Sequence, residues 1–179
     1  IAVIGYSGAG KSTLARALAD RCRCPALFLD TVNFEAGWRE RGRDEARAIV
    51  RAFLDKNLSW VIDGNYGGLL QTERLALADL IVFFDFPRLV CLYQAVSRYL
   101  RFRDKTRESA ADGCAEKLDW KFLWWILYKG RTAPRRKHYR DIVDAYPQKT
   151  VVLKSRAAAK RFLDGFFERS AATPGAAGA

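Results

Sequence analysis

Apolar and polar positions alternate between two periods along this chain. Five short runs rich in Val, Ile, Leu and Phe, at Ile1 to Ile4, Ala26 to Leu29, Trp60 to Ile62, Leu80 to Phe84 and Thr150 to Leu153, predict buried strands. Helical spacing separates them at Ser12 to Arg21, Asp44 to Lys56 and Leu89 to Arg101. After Asp119, "WKFLWWILYKGRTAPRRKHYRDIVDAY" sets Trp120, Trp124, Leu127 and Tyr128 near one face, with Pro134 predicting a kink or a restart. "RAAAKRFLDGFF" predicts a last helix. Short apolar strands alternating with helices predict an α/β fold, a parallel sheet covered on both faces. Residues 101–119 have little periodicity, many charges and Gly113, and read as a mobile inserted segment. The tail at 170–179, "SAATPGAAGA", lacks large apolar groups and is expected to be disordered, which leaves 1–169 as a single domain.

In such a sheet ligands bind beyond the carboxyl ends of the strands. After the first run the sequence is "GYSGAGKST", in which Gly5-x-x-x-x-Gly10-Lys11-Ser12 has the spacing of a phosphate-binding P-loop. Chance would place this pattern in about one such chain in a hundred, and the flanking strand and helix lower that further. Gly5, Ser7, Gly8, Ala9 and Gly10 are predicted to turn backbone N–H groups around phosphate oxygens, while Lys11, Ser12 and Thr13 open a helix whose uncapped amides meet the same charge. Lys11 is expected at the β- and γ-phosphates of ATP and the Ser12 hydroxyl on Mg²⁺.

The other strands also end in polar residues: Asp30-Thr31, Asp63-Gly64-Asn65-Tyr66 and Asp85-Phe86-Pro87. Asp63, after "WVI", suits a carboxylate that holds a Mg²⁺-bound water beside the P-loop; capping the following turn is the competing reading. For Asp85, ahead of Pro87, capping is at least as good an assignment. Asn33 and Trp38 follow the second strand in a loop and are candidate acceptor contacts.

Charge and cysteines narrow the partners. The formal net charge of +11 is concentrated between Arg88 and Arg140, where 14 lysines and arginines face five carboxylates. That predicts an anionic partner: nucleoside phosphates, or nucleic acid bound weakly and without sequence preference. Cys22, Cys24, Cys91 and Cys114 lack metal-ligand spacing and read as reduced thiols. No apolar run approaches the roughly 20 residues a bilayer needs, so the expected setting is cytoplasmic, as a monomer or homodimer. His138, set among Arg135, Arg136 and Lys137, reads as a surface helix residue rather than a general base. Trp120, Trp124 and Trp125 fit core or subunit packing better than stacking on a base.

Taken together, "GYSGAGKST", "LDTVNF", "WVIDGNY", "FFDFPR", "RYLRFRDKTR", "DGCAEKLDW" and "WWILYKGR" resemble the small P-loop proteins called DNA topology modulation proteins, themselves similar to adenylate kinase, in order from Ile1 to about Leu163. The adenylate-kinase likeness implies a P-loop three-layer sandwich with five parallel strands in the order 2-3-1-4-5, an acceptor region after the second strand and a lid insertion. Asp30, Asn65 and Tyr66 then fall on the acceptor side, although Asn65-Tyr66 stands where the kinases carry Phe-Pro-Arg, so the arginine expected there is missing. Arg98 and Arg101 fall at the lid entry, and Arg131, with Arg135 or Arg136, on the returning helix. As a set these arginines suit a γ-phosphoryl group whose charge spreads during transfer; singly, each could equally be part of a solvated basic face.

Two functions follow as expectations. One is a Mg²⁺-dependent phosphotransferase moving the ATP γ-phosphate to a small nucleotide-like acceptor. The other, which the family name implies, is a nucleotide-gated DNA-binding protein. No helix-turn-helix or zinc-finger signature supports sequence-specific reading, so the kinase ranks first.

Overall fold

The computed structural model describes residues 1–102 and 119–171. Most of the predicted lid segment, Cys114 with it, and residues 172–179 of the predicted tail lie outside the described residues.

Strands β1 (Ala2–Gly5), β2 (Ala26–Phe28), β5 (Val61–Asp63), β6 (Ile81–Phe84) and β7 (Thr150–Leu153) form one parallel sheet in the order β2-β5-β1-β6-β7. This is the predicted 2-3-1-4-5 once the two-residue strands β3 (Phe34–Glu35) and β4 (Arg39–Glu40), a separate antiparallel ribbon, are set aside. β1, β5 and β6 are buried along their whole lengths, whereas β2 and most of β7 are half-buried. Central strands covered on both faces must be apolar at every position, and for that reason they read as runs rather than alternations.

The helices bury stripes against the sheet. α1 (Lys11–Cys22) turns in Leu14, Ala15, Leu18 and Ala19, and Arg23 ends it in the left-handed region with its N–H on the Asp20 carbonyl. α3 (Arg43–Lys56) buries Ala46, Val50 and Leu54, one residue per turn. α5 spans Arg88–Phe102 and α6 Trp120–Leu127, the latter capped by the Asp119 carboxylate accepting from the Phe122 N–H at 2.7 Å. Pro134 lies in the first turn of α7 (Ala133–Ala145), so the chain restarts there rather than kinks. α8 (Arg156–Ala171) runs two residues into the predicted tail.

Two short helices and the ribbon were not expected. The predicted second strand stops at Phe28, and Leu29 instead opens α2 (Leu29–Asn33), where the Thr31 hydroxyl returns to the Phe28 carbonyl at 2.8 Å. α4 (Gln71–Leu77) is too short for a clear period, and its buried set includes Gln71 and Arg74. Among the described residues no helix is long and apolar enough to cross a membrane.

Candidate functional site

The loop after β1 has the conformation its glycines foreshadow. Gly5 has φ +135°, and a Cβ there would lie 2.4 Å from the Phe84 carbonyl oxygen of β6. Gly8 has φ +80°, and its Cβ would meet the Cys91 carbonyl of α5 at 2.5 Å. Only glycine tolerates both the positive φ and the contact, so the loop lies pressed onto β6 and the start of α5. Ala9 is buried with its N–H on the Tyr6 carbonyl at 3.3 Å. Gly10, left-handed at the N-cap of α1, offers no side chain to the first-turn amides, and the turn holds no carboxylate. Thr13 is exposed beside it.

Ser12 and Asp63, 51 residues apart, meet at the mouth of this loop, the Ser12 hydroxyl donating to Asp63 Oδ2 at 2.6 Å. The register explains the meeting. Asp63 ends β5 opposite Val3 of β1, so its carboxylate leaves the sheet edge beside the first turn of α1. Asp63 is only 7 % exposed. A hydroxyl and a carboxylate are hard oxygen donors suited to Mg²⁺, and the glycine cradle with an uncapped helix start suits phosphate, so the residues present fit both groups. Lys11 donates through Nζ to the Tyr6 carbonyl at 3.1 Å, its ammonium folded onto the loop.

Asn65, expected as an acceptor contact, is bonded to the P-loop through both ends of its amide. Its Oδ1 accepts from the Gly5 N–H at 2.8 Å and its Nδ2 donates to the Gly5 carbonyl at 2.6 Å. Beyond the Val3–Asp63 register pair, β1 and β5 diverge around the loop, and the side-chain amide supplies the rung that a backbone would otherwise make. Both polar atoms of Asn65 therefore serve the P-loop. Gln71 Nε2 reaches the Asn65 carbonyl at 3.4 Å, and His138 Nε2 lies 2.9 Å from Gln71 Oε1, which ties exposed His138 to the same corner.

Tyr66 and Asp30, two of the predicted acceptor contacts, are brought together, the Tyr66 hydroxyl donating to Asp30 Oδ1 at 2.6 Å. Burial, then the charges of Asp30, Asp63 and Glu40, hold its phenol well above the ordinary range. Trp38 packs edge-on against Phe34 within the ribbon, ring centres 5.3 Å apart, and half-buried Asn33 gives its carbonyl to the Arg41 N–H.

Arg131, a predicted phosphate contact, is engaged by protein groups beside the loop. Its guanidinium stacks 3.8 Å above the Tyr6 ring and donates through Nη2 to the Phe86 carbonyl at 2.6 Å and to Cys91 Sγ at 3.2 Å. It bolts the P-loop to the β6–α5 turn. Burial comes first in raising the Tyr6 phenol, Asp85 adds to it, and Arg131 opposes it. Arg98 is half-buried on α5 and Arg101 is exposed in its last turn.

Three contributors escaped sequence reasoning. Trp125 Nε1 donates to Ser7 Oγ at 3.2 Å, with the Arg135 guanidinium 4.4 Å over its ring, so Trp125 belongs to the loop's surroundings rather than to packing alone. Gln94 of α5 puts Oε1 3.4 Å from where a Cβ of Gly10 would be. Arg74 is wholly buried, donating to the Leu69 carbonyl at 2.8 Å and the Tyr66 carbonyl at 3.1 Å, and burial pulls its pKa down to about 10. The spacing of Gln94 and Arg74 carries no signal; the run "WWILYKGR" held the only hint of Trp125. Among the described residues no cluster of three His, Cys, Asp or Glu could hold a metal, and Cys22, Cys24 and Cys91 are free thiols.

This architecture and loop define the fold of the small P-loop kinases. Shikimate kinase from Bacteroides thetaiotaomicron superposes with a TM-score of 0.52 at 18 % identity, covering 95 % of this chain and 96 % of that one. An uncharacterized protein from Eubacterium ventriosum superposes with a TM-score of 0.53 at 15 % identity, covering 96 % and 97 %. No protein-family profile and no curated protein sequence matches the chain. The structural likeness extends to the fold, and the likeness to DNA topology modulation proteins stays one of motifs.

Proposed function

We propose that this protein is a Mg²⁺-dependent phosphotransferase that moves the γ-phosphate of ATP to a small nucleotide-like acceptor. The observation that carries the reading is the Ser12–Asp63 hydrogen bond of 2.6 Å at the mouth of a glycine cradle closed by an uncapped helix. Ser12 and Asp63 are the residues that would hold Mg²⁺, which when bound neutralises phosphate charge and orients the chain of phosphates. The amides of the loop and of the first turn of α1 receive phosphate oxygens without further rearrangement of β1, because Asn65 and Arg131 already fix Gly5 and Tyr6. Lys11 exchanges the Tyr6 carbonyl for a phosphate oxygen, a stronger, charge-assisted partner.

The test uses ATP binding by calorimetry and ADP release with Mg²⁺. Lys11→Ala is expected to weaken ATP binding about tenfold or more, the loss of one charge-assisted hydrogen bond. Asp63→Asn is expected to keep the fold and lose Mg²⁺-dependent turnover. Wild-type binding and turnover in both variants would overturn the assignment.

A further inference from the structure

The acceptor side of the site is built for a different charge from the ATP side. In the sheet β5 lies between β1 and β2, so moving outward from the P-loop one meets Asp63 and then the end of β2. Phe28 is in register with Asp63, and the chains leaving β2 and β5 run side by side until Tyr66 closes on exposed Asp30 at 2.6 Å. The group nearest the phosphate end on this side is thus a carboxylate fixed by a phenol. Guanidinium groups of the same region are committed elsewhere: Arg39 to Glu35, Arg41 to the Val32 carbonyl and Glu45, Arg74 to two carbonyls of the loop after β5. Among the described residues Arg47 is likewise held by the Gly68 carbonyl and Arg16 lies over the Phe28 ring, while Arg43, exposed at the start of α3 next to Gly68, is a cation that a test must include.

An acceptor that carried its own phosphate would bring a dianion against the Asp30 carboxylate, a like-charge repulsion. A hydroxyl makes the opposite use of the same group, since it donates to a carboxylate. We propose that the acceptor is an uncharged alcohol, such as a nucleoside or polyol, whose hydroxyl binds Asp30 and receives the phosphoryl group there, Tyr66 holding the carboxylate in place. This rests on the phosphotransferase reading above and narrows its nucleotide-like acceptor to one without a phosphate. In the step, a bond forms between the alcohol oxygen and the γ-phosphorus, and the bond from that phosphorus to the β,γ-bridging oxygen breaks with its electron pair leaving on ADP. The hydroxyl proton passes to the Asp30 carboxylate.

The sign of the acceptor site can be read before the acceptor is identified. Diadenosine pentaphosphate extends an ATP moiety with the phosphates of a phosphate acceptor, and its affinity is measured beside that of ATP by calorimetry with Mg²⁺. The expected result is no gain over ATP, within about threefold, and an Asp30→Asn variant that gains affinity for the pentaphosphate but not for ATP. Binding more than about tenfold tighter than ATP, with the gain lost in Arg43→Ala, would overturn the inference, because a cation and not Asp30 would then rule the site. Transfer to AMP, CMP or dTMP at a rate undiminished by Asp30→Asn would also overturn it. Transfer to an alcohol in a panel of adenosine, cytidine, thymidine and glycerol, falling about 10²-fold or more in kcat with Asp30→Asn, is the supporting outcome. Failure of wild-type protein to bind ATP at all would instead remove the phosphotransferase reading beneath it.

Discussion

Asn65 offers the sharpest test of how the loop is held. Gly5 is buried, and its N–H and carbonyl both find their partners, at 2.8 and 2.6 Å, in this one side chain. Asn65→Ala leaves two buried backbone groups without them. At about 1–3 kcal/mol for each orphaned group, the loss is about 2–6 kcal/mol. In a domain of this size that lowers the unfolding temperature by roughly 4–24 °C. Asn65→Asp separates the two bonds. A carboxylate still accepts from the Gly5 N–H, but its second oxygen faces the Gly5 carbonyl, acceptor against acceptor. The folded state therefore favours the protonated acid, and its pKa rises above the unfolded value of about 3.9. A group raised on folding contributes stability that is fully present below the unfolded pKa and is lost as pH rises through the folded one. The Asn65→Asp deficit is thus expected to be small near pH 4 and to grow toward that of Asn65→Ala by pH 7. Urea unfolding followed by tryptophan fluorescence at several pH values, each against wild type, measures both. A deficit for Asn65→Ala within about 0.5 kcal/mol of zero, or one for Asn65→Asp that is flat with pH, would refute the rung.

The remaining expectations separate structural cations from solvent-facing ones. Arg131→Gln removes the stack on Tyr6 and the charged bond to Phe86, and is expected to cost about 2–4 kcal/mol in the unliganded protein. Unaltered unfolding with a large fall in kcat would return Arg131 to the phosphate role. The basic stretch between Arg88 and Arg140 is expected to bind DNA weakly and without sequence preference, with a log–log salt slope near −0.9 per phosphate neutralised and displacement by Mg·ATP. Gel-shift titrations on linear and supercoiled DNA check this, and binding that survives physiological salt, discriminates topology and persists with ATP would favour the DNA-binding function instead.

The sequence alone determined those features whose causes are contiguous. Runs such as "AVI" and "IVFF" are apolar at every position because their strands are covered on both faces, and that pattern needs no knowledge of the neighbours. "GYSGAGKST" announced its loop because each glycine answers a local demand, positive φ or close approach, that is written where it acts. Asp63 was legible as a strand-end carboxylate, though its partner Ser12 was inferred from a motif and met only through the register of β5 on β1. Tertiary structure alone decided the assignments that depend on separation. Gly5 and Asn65 are 60 residues apart, Ser7 and Trp125 are 118 apart, and nothing local in either member names the other. The same limit hid the stacking of Arg131 on Tyr6, since a guanidinium has the same spelling whether it faces an anion or an aromatic ring. Short α2 and α4 were hidden for a related reason: helices of five and seven residues hold too few turns to show a period, and their formation rests on burial of Leu29, Val32 and Leu75 against a core assembled from the whole chain.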